Sequence, residues 1–249
     1  MRVAIKLKHF SANRNLEDAG FIRSKQTGVH PQMEKHLRRH LASKWSQPLH
    51  QPSIETYQRL IDEGVLSGEV AFILDSGCGT GKSTQRLAGL FPRHLVIGVD
   101  QSNTRLAKSG VSSGFLCRGN CILLRAELGT FWRLLLNDGY SPERHFLFYP
   151  NPWPKPGHLQ RRWHGHPVFP QLLSLGGEIE IRCNWEVYAL EFAQAIYIAT
   201  GTNISVDRIF PETGISPFEQ KYLERGQALF SVTVAAQITN AFRHSHLMV

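Results

Sequence analysis

The chain is 249 residues long, 42% hydrophobic and 19% charged, with a net charge of +8. That composition describes an ordinary soluble globule with room for one large α/β domain, and no run of 18 apolar residues is present to span a membrane. The charge is concentrated in residues 1–50, where ten Lys/Arg face three Asp/Glu, so a basic N-terminal extension, a candidate RNA-binding arm, is expected ahead of a near-neutral domain over 51–249.

The opening MRVAIKLKHF carries charges but no apolar core, so no signal peptide is expected. Residues 1–30 lack periodicity and read as irregular. Gln32 to Trp45 reads as a helix with Met33, Leu37, Leu41 and Trp45 on one face. His36 and His40 lie four apart there, but Leu37, Arg38 and Arg39 between them supply no glutamate, so the pair reads as part of a basic face rather than a metal site. Ser53 is read as the cap of a helix running through Leu60 and Ile61 to Gly64. Strands follow at 70–75, 95–100, 121–125, 145–149, 178–183, 204–208 and 227–235. Helices are expected at 82–91, from a Ser102 cap to Ser109, and at 128–137, 167–175 and 185–199. The rhythm is that of βαβ units, a Rossmann-like α/β fold with helices on both faces of a mostly parallel seven-stranded sheet. The final run suits an antiparallel strand at the sheet's end. Cys78, Cys117, Cys121 and Cys183 form no C-x-x-C pair and read as small buried thiols of a reducing cytoplasm, with no metal.

The most informative stretch is FILDSGCGTGKST, residues 72–84. A buried strand ends in Asp75, and Gly77, Gly79 and Gly81 follow at alternate positions before a helix begins. A P-loop would need a glycine where Ser76 stands, and a dinucleotide fingerprint one at Lys82. The spacing is acidic-x-G-x-G-x-G, and Asp75 would repel a phosphate. S-adenosyl-L-methionine carries a sulfonium and an ammonium group that welcome a carboxylate. Asp100 and Gln101 end the next apolar run, where ribose hydroxyls are held, and Glu127 follows the third strand. Asp75, Asp100, Glu127 and the loop after Tyr149 all fall at carboxyl ends of strands, where such sheets bind ligands.

That loop reads Pro150-Asn151-Pro152-Trp153-Pro154-Lys155-Pro156-Gly157-His158-Leu159-Gln160-Arg161-Arg162. Its prolines stiffen the chain where the strand leaves the sheet. Trp153 offers a stacking face, and Lys155, His158, Arg161 and Arg162 a cationic rim for phosphates.

The stretch FYPNPWPKPGHLQRR resembles the F-P-D-P-W-x-K-x-x-H-x-x-R-R signature of the bacterial tRNA (guanine-N7)-methyltransferase family. CNWEVYA at 183–189 is similar to its T-D-W-E-x-Y-A block, and Ser216-Pro217-Phe218-Glu219-Gln220 with Arg225-Gly226 to its T-x-F-E-x-R-G block. The resemblance covers about residues 70–235. It implies a class I methyltransferase fold, S-adenosyl-L-methionine held by Asp75, the glycine loop, Asp100 and Glu127, and Asn151 between cofactor and target base. It also implies that Lys155 and Arg161 meet tRNA while Asn184, Ser216 and Glu219 frame the guanine. The chain is read as a monomer with tRNA as its partner. It departs from the family at Asn151 and Asn184, where the signature has aspartate, and at Ser216, where it has threonine. Asn151-Pro152-Trp153 also partly resembles the N-P-P-[YFW] motif of amino-methylating enzymes, and the two asparagines leave open an RNA-binding relative without catalysis.

Overall fold

The structure is a computed structural model that describes residues 21–43, 45–68, 70–112 and 114–247. Among these residues eight strands form one sheet: β1 (Phe72–Ser76), β2 (Leu95–Asp100), β3 (Phe115–Arg118), β4 (Cys121–Arg125), β5 (Arg144–Phe148), β6 (Glu178–Cys183), β7 (Asp207–Ile209) and β8 (Leu229–Val234). Their spatial order is β3-β4-β2-β1-β5-β6-β8-β7. The central five run parallel; β3 is antiparallel to β4, and β8 is antiparallel to both β6 and β7. From β1 the chain builds outward through β2 and β4 on one side and then through β5 and β6 on the other, so the order reverses between β1 and β5 and the ends of those strands open a crevice.

Among the described residues nine α-helices flank the sheet: α1 (Met33–Leu41), α2 (Gln51–Asp62), α3 (Lys82–Leu90), α4 (Asn103–Ala107), α5 (Leu128–Asn137), α6 (Phe169–Ser174), α7 (Glu186–Thr200), α8 (Pro217–Glu224) and α9 (Ala236–Leu247). Side chains alternate across each strand, so Leu74, Ile97 and Leu124 join one core with Phe131, Trp132 and Phe192. Ile73, Val96 and Leu123 join another, with Leu87 and Leu106. The central strands therefore read as unbroken apolar runs because both faces are covered.

Several local expectations change. β3 is an addition to the expected strands: it is only four residues long, with Phe115 and Leu116 half-buried and Cys117 and Arg118 exposed; Gly119, at φ 60, turns the chain back into β4. The closing strand, β8, is antiparallel as expected but is not the edge, since β7 lies outside it. α8 and α9 also lack a strong apolar stripe, yet α9 packs on α6 and buries Phe242 and Thr239. α2 begins two residues before Ser53, which lies buried inside the helix, where its Oγ accepts the Glu127 N–H at 2.8 Å.

α1 ends at Leu41 and packs on α7 with Met33 and Leu37 at most 1% exposed. Burial of two such side chains contributes about 1.5–3 kcal/mol each, which holds the basic helix against the domain. His40 is buried with them, and so does not belong to the exposed basic face. Residues 1–20 of the basic extension lie outside the described residues.

Candidate active site

The glycine loop folds back over the end of β2: the N–H groups of Gly77 and Cys78 donate to the Val99 carbonyl at 2.8 and 3.1 Å. Gly77, Gly79 and Gly81 all have φ between 61 and 81, the left-handed region that glycine enters without strain. A Cβ at Gly81 would also sit 2.6 Å from the Leu123 methyls. Asp75 is 1% exposed and accepts from Ser83 Oγ at 2.6 Å and Thr84 Oγ1 at 2.7 Å. Gly98 makes that possible, because a Cβ there would lie 2.1 Å from Thr84 Oγ1. Burial pushes the Asp75 carboxyl up to about 6, against the two hydroxyls that favour its charged form. Asp75 thus fastens the loop to α3, and its side chain does not line the cavity beyond.

Asp100 and Glu127 do line it. Asp100 is 3% exposed; Oδ2 accepts the Gly79 N–H at 2.9 Å, and Oδ1 accepts the Ser102 N–H at 2.8 Å and pairs with Arg105 at 3.2 Å. Glu127 caps α5, accepting the N–H groups of Gly129 and Thr130 at 2.9 and 2.6 Å. The floor is uncharged: Ser76 Oγ accepts from Trp132 Nε1 at 3.0 Å and bonds His145 Nε2 at 2.8 Å, and burial pushes the His145 pKa down to about 3. The cavity encloses about 490 Å³. Its walls bring together Gly77, Asp100, Gln101, Glu127, Asn151, Trp153 and Arg161 of the expected residues, with Arg105, Tyr149, Trp163, His166 and Phe218 in addition. A hollow of about 110 Å³, walled by Pro52, Val111 and Ala126, adjoins it and shares Gln101 and Glu127.

The proline loop is bent and clamped. Tyr149 and Trp153 have φ of 52 and 45, conformations that cost a non-glycine residue about 1–3 kcal/mol each and persist only where the surroundings enforce them. At Trp153 enforcement comes from Arg162, which is fully buried. Its Nε and Nη2 donate to the Trp153 carbonyl at 3.2 and 3.1 Å, its Nη1 pairs with Glu191, and its guanidinium lies 4.9 Å from the Trp185 ring. Glu191, on α7, also bonds His164 Nε2 at 2.8 Å and accepts Gln26 Nε2 at 2.6 Å and the His30 N–H at 3.0 Å. Burial raises the Glu191 pKa, but the His164 and Arg162 contacts outweigh it and hold the carboxyl down to about 2.

Arg162 therefore has no surface to offer a phosphate, contrary to expectation. The residue before it faces outward: Arg161 lies 4.8 Å from the Trp153 ring, with His158 edge-on to the same ring at 5.5 Å and Lys155 exposed at the rim. Asn184, Ser216 and Glu219 are not on the cavity wall. Asn184 Nδ2 donates to Gln227 Oε1 at 2.8 Å; Ser216 Oγ caps α8 through the Glu219 N–H at 3.1 Å; and Glu219 is fully buried against Arg182, at 3.1 Å. The S-x-x-E spacing is a capping box signature, legible in the sequence as such. Phe218, between them, is the residue of that block that reaches the cavity, 45% exposed.

Residues 69–232 match the model of the family described as "Putative methyltransferase". The chain belongs to this methyltransferase family. The glycine loop, both cavity carboxylates and the whole proline loop lie inside the matched segment, whereas α1 and the strap through Gln26 lie outside it. A relative from Stutzerimonas stutzeri, a tRNA (guanine-N(7)-)-methyltransferase, is 30% identical over 61% of this chain and 66% of its own length. Proteins of the same name from Hydrogenovibrio crunogenus and Chromobacterium violaceum are 29% and 25% identical, over 69% and 64% of this chain and 73% of their own. Among solved structures, that of the 16S rRNA methyltransferase KamB superposes with a TM-score of 0.49 at 16% identity, over 76% of this chain and 95% of that one.

Proposed function

We propose that this methyltransferase transfers a methyl group from S-adenosyl-L-methionine to N7 of a guanine in tRNA. The observation that carries the reading is the placement of Asn151 and Trp153 on the wall of the same cavity as the glycine loop, Asp100 and Glu127. It is joined by the names of the relatives, all tRNA (guanine-N(7)-)-methyltransferases.

The residues present fit the cofactor. Gly77 opens on the cavity with nothing within 4 Å of where a Cβ would stand. Two carboxylates give that wall the sign that a sulfonium and an ammonium group require, and the hollow beside Gln101 and Glu127, where Pro52, Val111 and Ala126 stand among polar groups such as Ser53 and Asn103, can take the adenine ring and its polar edge. When bound, the cofactor supplies an electrophilic methyl group on sulfur. The chain's part is to hold it through Asp100, Gln101 and Glu127, to exclude water, and to orient the base. Guanine N7 already carries a lone pair and needs no general base, so positioning alone can supply about 7–11 kcal/mol of the barrier reduction.

Lys155 and Arg161 at the rim meet the tRNA backbone. The exposed edge of α1 extends that rim through the contact of Gln160 with His36 at 3.2 Å, which gives the basic extension over 1–50 a path to the RNA. The test is mass spectrometry of nucleosides from tRNA incubated with the protein and isotopically labelled S-adenosyl-L-methionine. Labelled N7-methylguanosine is expected. Label in an exocyclic amine would transfer the protein to the amino-methylating class, and cofactor binding without any label would make it an RNA-binding protein without catalysis.

A further inference from the structure

We infer that Gln26 is a positioning residue for the methyl transfer proposed above, a role that rests on that reading and adds to it a working part ahead of the sheet. From a strap outside the matched segment 69–232, Gln26 completes the clamp that holds Trp153 and Asn151 at the cavity.

The strap is two-sided. Even-numbered positions from 22 to 30 are half-buried and the odd-numbered ones from 21 to 29 are exposed, the period of two that an extended chain gives when it lies on a surface. Its half-buried groups converge on one place. Ser24 Oγ donates to the Pro154 carbonyl at 2.5 Å, Gln26 Nε2 to Glu191 Oε1 at 2.6 Å, and the His30 N–H to the same Oε1 at 3.0 Å. All three end on the proline loop or on the carboxylate that pairs with Arg162.

Gln26 matches both members of that buried pair. Its second N–H goes to the Gly28 carbonyl at 2.8 Å, and its Oε1 accepts from Arg162 Nη2 at 3.1 Å. Partners of opposite kind therefore fix the amide: a carboxylate and a carbonyl that can only accept, and a guanidinium that can only donate. Glutamate would keep the acceptor for Arg162 but turn an anion on Glu191. The same Nη2 reaches the Trp153 carbonyl at 3.1 Å. Gln26 and the left-handed turn at Trp153 (φ 45) thus share one guanidinium nitrogen. Without Gln26, Arg162 keeps Glu191 but gains freedom to swing, and Trp153 and Asn151 move with it. Where the attacked nitrogen needs no general base, such a displacement acts on the positioning that supplies the rate.

Transfer of labelled methyl to tRNA, measured beside calorimetric cofactor affinity and the urea midpoint, tests the role. Gln26→Ala is expected to lower kcat roughly tenfold, within the ~100-fold that a misplacement of about 1 Å can cost, with cofactor affinity and the KM for tRNA unchanged. Gln26→Glu, of the same size, should be no more active than Q26A. Arg162→Lys keeps a cation for Glu191 but lacks the fork that joins Gln26 to Trp153, so Q26A added to it should cost less than about twofold further. Ser24→Ala, which loses the neighbouring hold on Pro154, should lower kcat in the same direction and decides the matter if Q26A does not fold. A raised KM with kcat intact would make the strap a tRNA contact, and a lower urea midpoint with both constants intact would make it a structural tie; either overturns the positioning role. So would wild-type activity in Q26E, or the full loss repeated on the R162K background. A wild type that binds the cofactor but transfers no methyl to tRNA would overturn the functional reading first, and this role with it.

Discussion

Arg161 and Arg162 are adjacent in sequence and opposite in environment, and replacing each with alanine separates two kinds of arginine. Arg162→Ala removes two hydrogen bonds from the Trp153 carbonyl and the closest cation from Glu191, with both partners of that ion pair fully buried. Breaking such a pair from one side costs about 3–5 kcal/mol, because the remaining charge stays buried with less compensation. His164 and Gln26 still reach Glu191, which argues for the lower half of that range. Domains of this kind have about 5–15 kcal/mol in total. With a urea dependence of about 1–3 kcal/mol per molar, the unfolding midpoint should fall by at least ~1 M. Arg161→Ala, which loses an exposed guanidinium over an indole, should leave that midpoint nearly in place and instead lower tRNA affinity and flatten its salt dependence by about one phosphate contact. Urea titrations followed by tryptophan fluorescence, beside tRNA binding at several salt concentrations, measure both. If R162A unfolded at the wild-type midpoint yet bound tRNA poorly, the description of Arg162 as a buried clamp would be wrong.

Other perturbations test other parts of the site. The Asp75 carboxyl is raised from 3.8 to about 6, so the folded chain holds this proton more tightly than the unfolded chain. Its contribution to stability is therefore fully present below about pH 4 and is lost as pH rises to 6, by ~3 kcal/mol. D75N should lack that slope in thermal unfolding between pH 4 and 6.5, and an unchanged slope would remove Asp75 from the account. Arg105 shares Asp100 Oδ1 from a position 47% exposed, so Arg105→Ala frees an acceptor and a negative charge beside the cofactor. With the guanidinium half exposed, solvent screens this pair towards the surface range of about 0.2–1 kcal/mol although Asp100 itself is buried, and calorimetry should show cofactor binding tighter by up to about fivefold; weaker binding would mean that Arg105 itself holds the ligand. Phe218→Ala should cost tRNA binding or turnover about 1–3 kcal/mol if a base stacks there, at little cost in stability, since the ring is half exposed.

The legibility of this chain followed the range of the interactions. β2 and β6 lie where their apolar runs put them, Ser102 caps α4 through the Arg105 N–H at 3.3 Å, and the alternate glycines take the left-handed values their spacing demands. Each of those depends on a handful of neighbouring residues. The fate of Arg162 depends on Glu191, 29 residues away on another helix, and within an irregular loop no periodicity distinguishes its direction from that of Arg161. An acidic side chain at that place attracts cations, which is why Asp75 is expected to face the ligand. Two hydroxyls eight and nine positions later claim it first, and only the entry angle of α3 brings them close. Ser216 and Glu219 depart from the expected place on the cavity wall for a different reason: the local S-x-x-E capping signature already engages both, Ser216 at the start of α8 and Glu219 against Arg182.

Glu191 has one more consequence, for the order in which the chain acquires its shape. It gathers His30 and Gln26 from before the sheet, and Arg162 and His164 from the segment after β5; Arg162 in turn reaches Gln26, 136 positions upstream. A nascent chain that has not yet extruded α7 has no anion with which to close this knot, however complete its earlier strands are. The proline loop therefore cannot take its clamped form until α7 has been made.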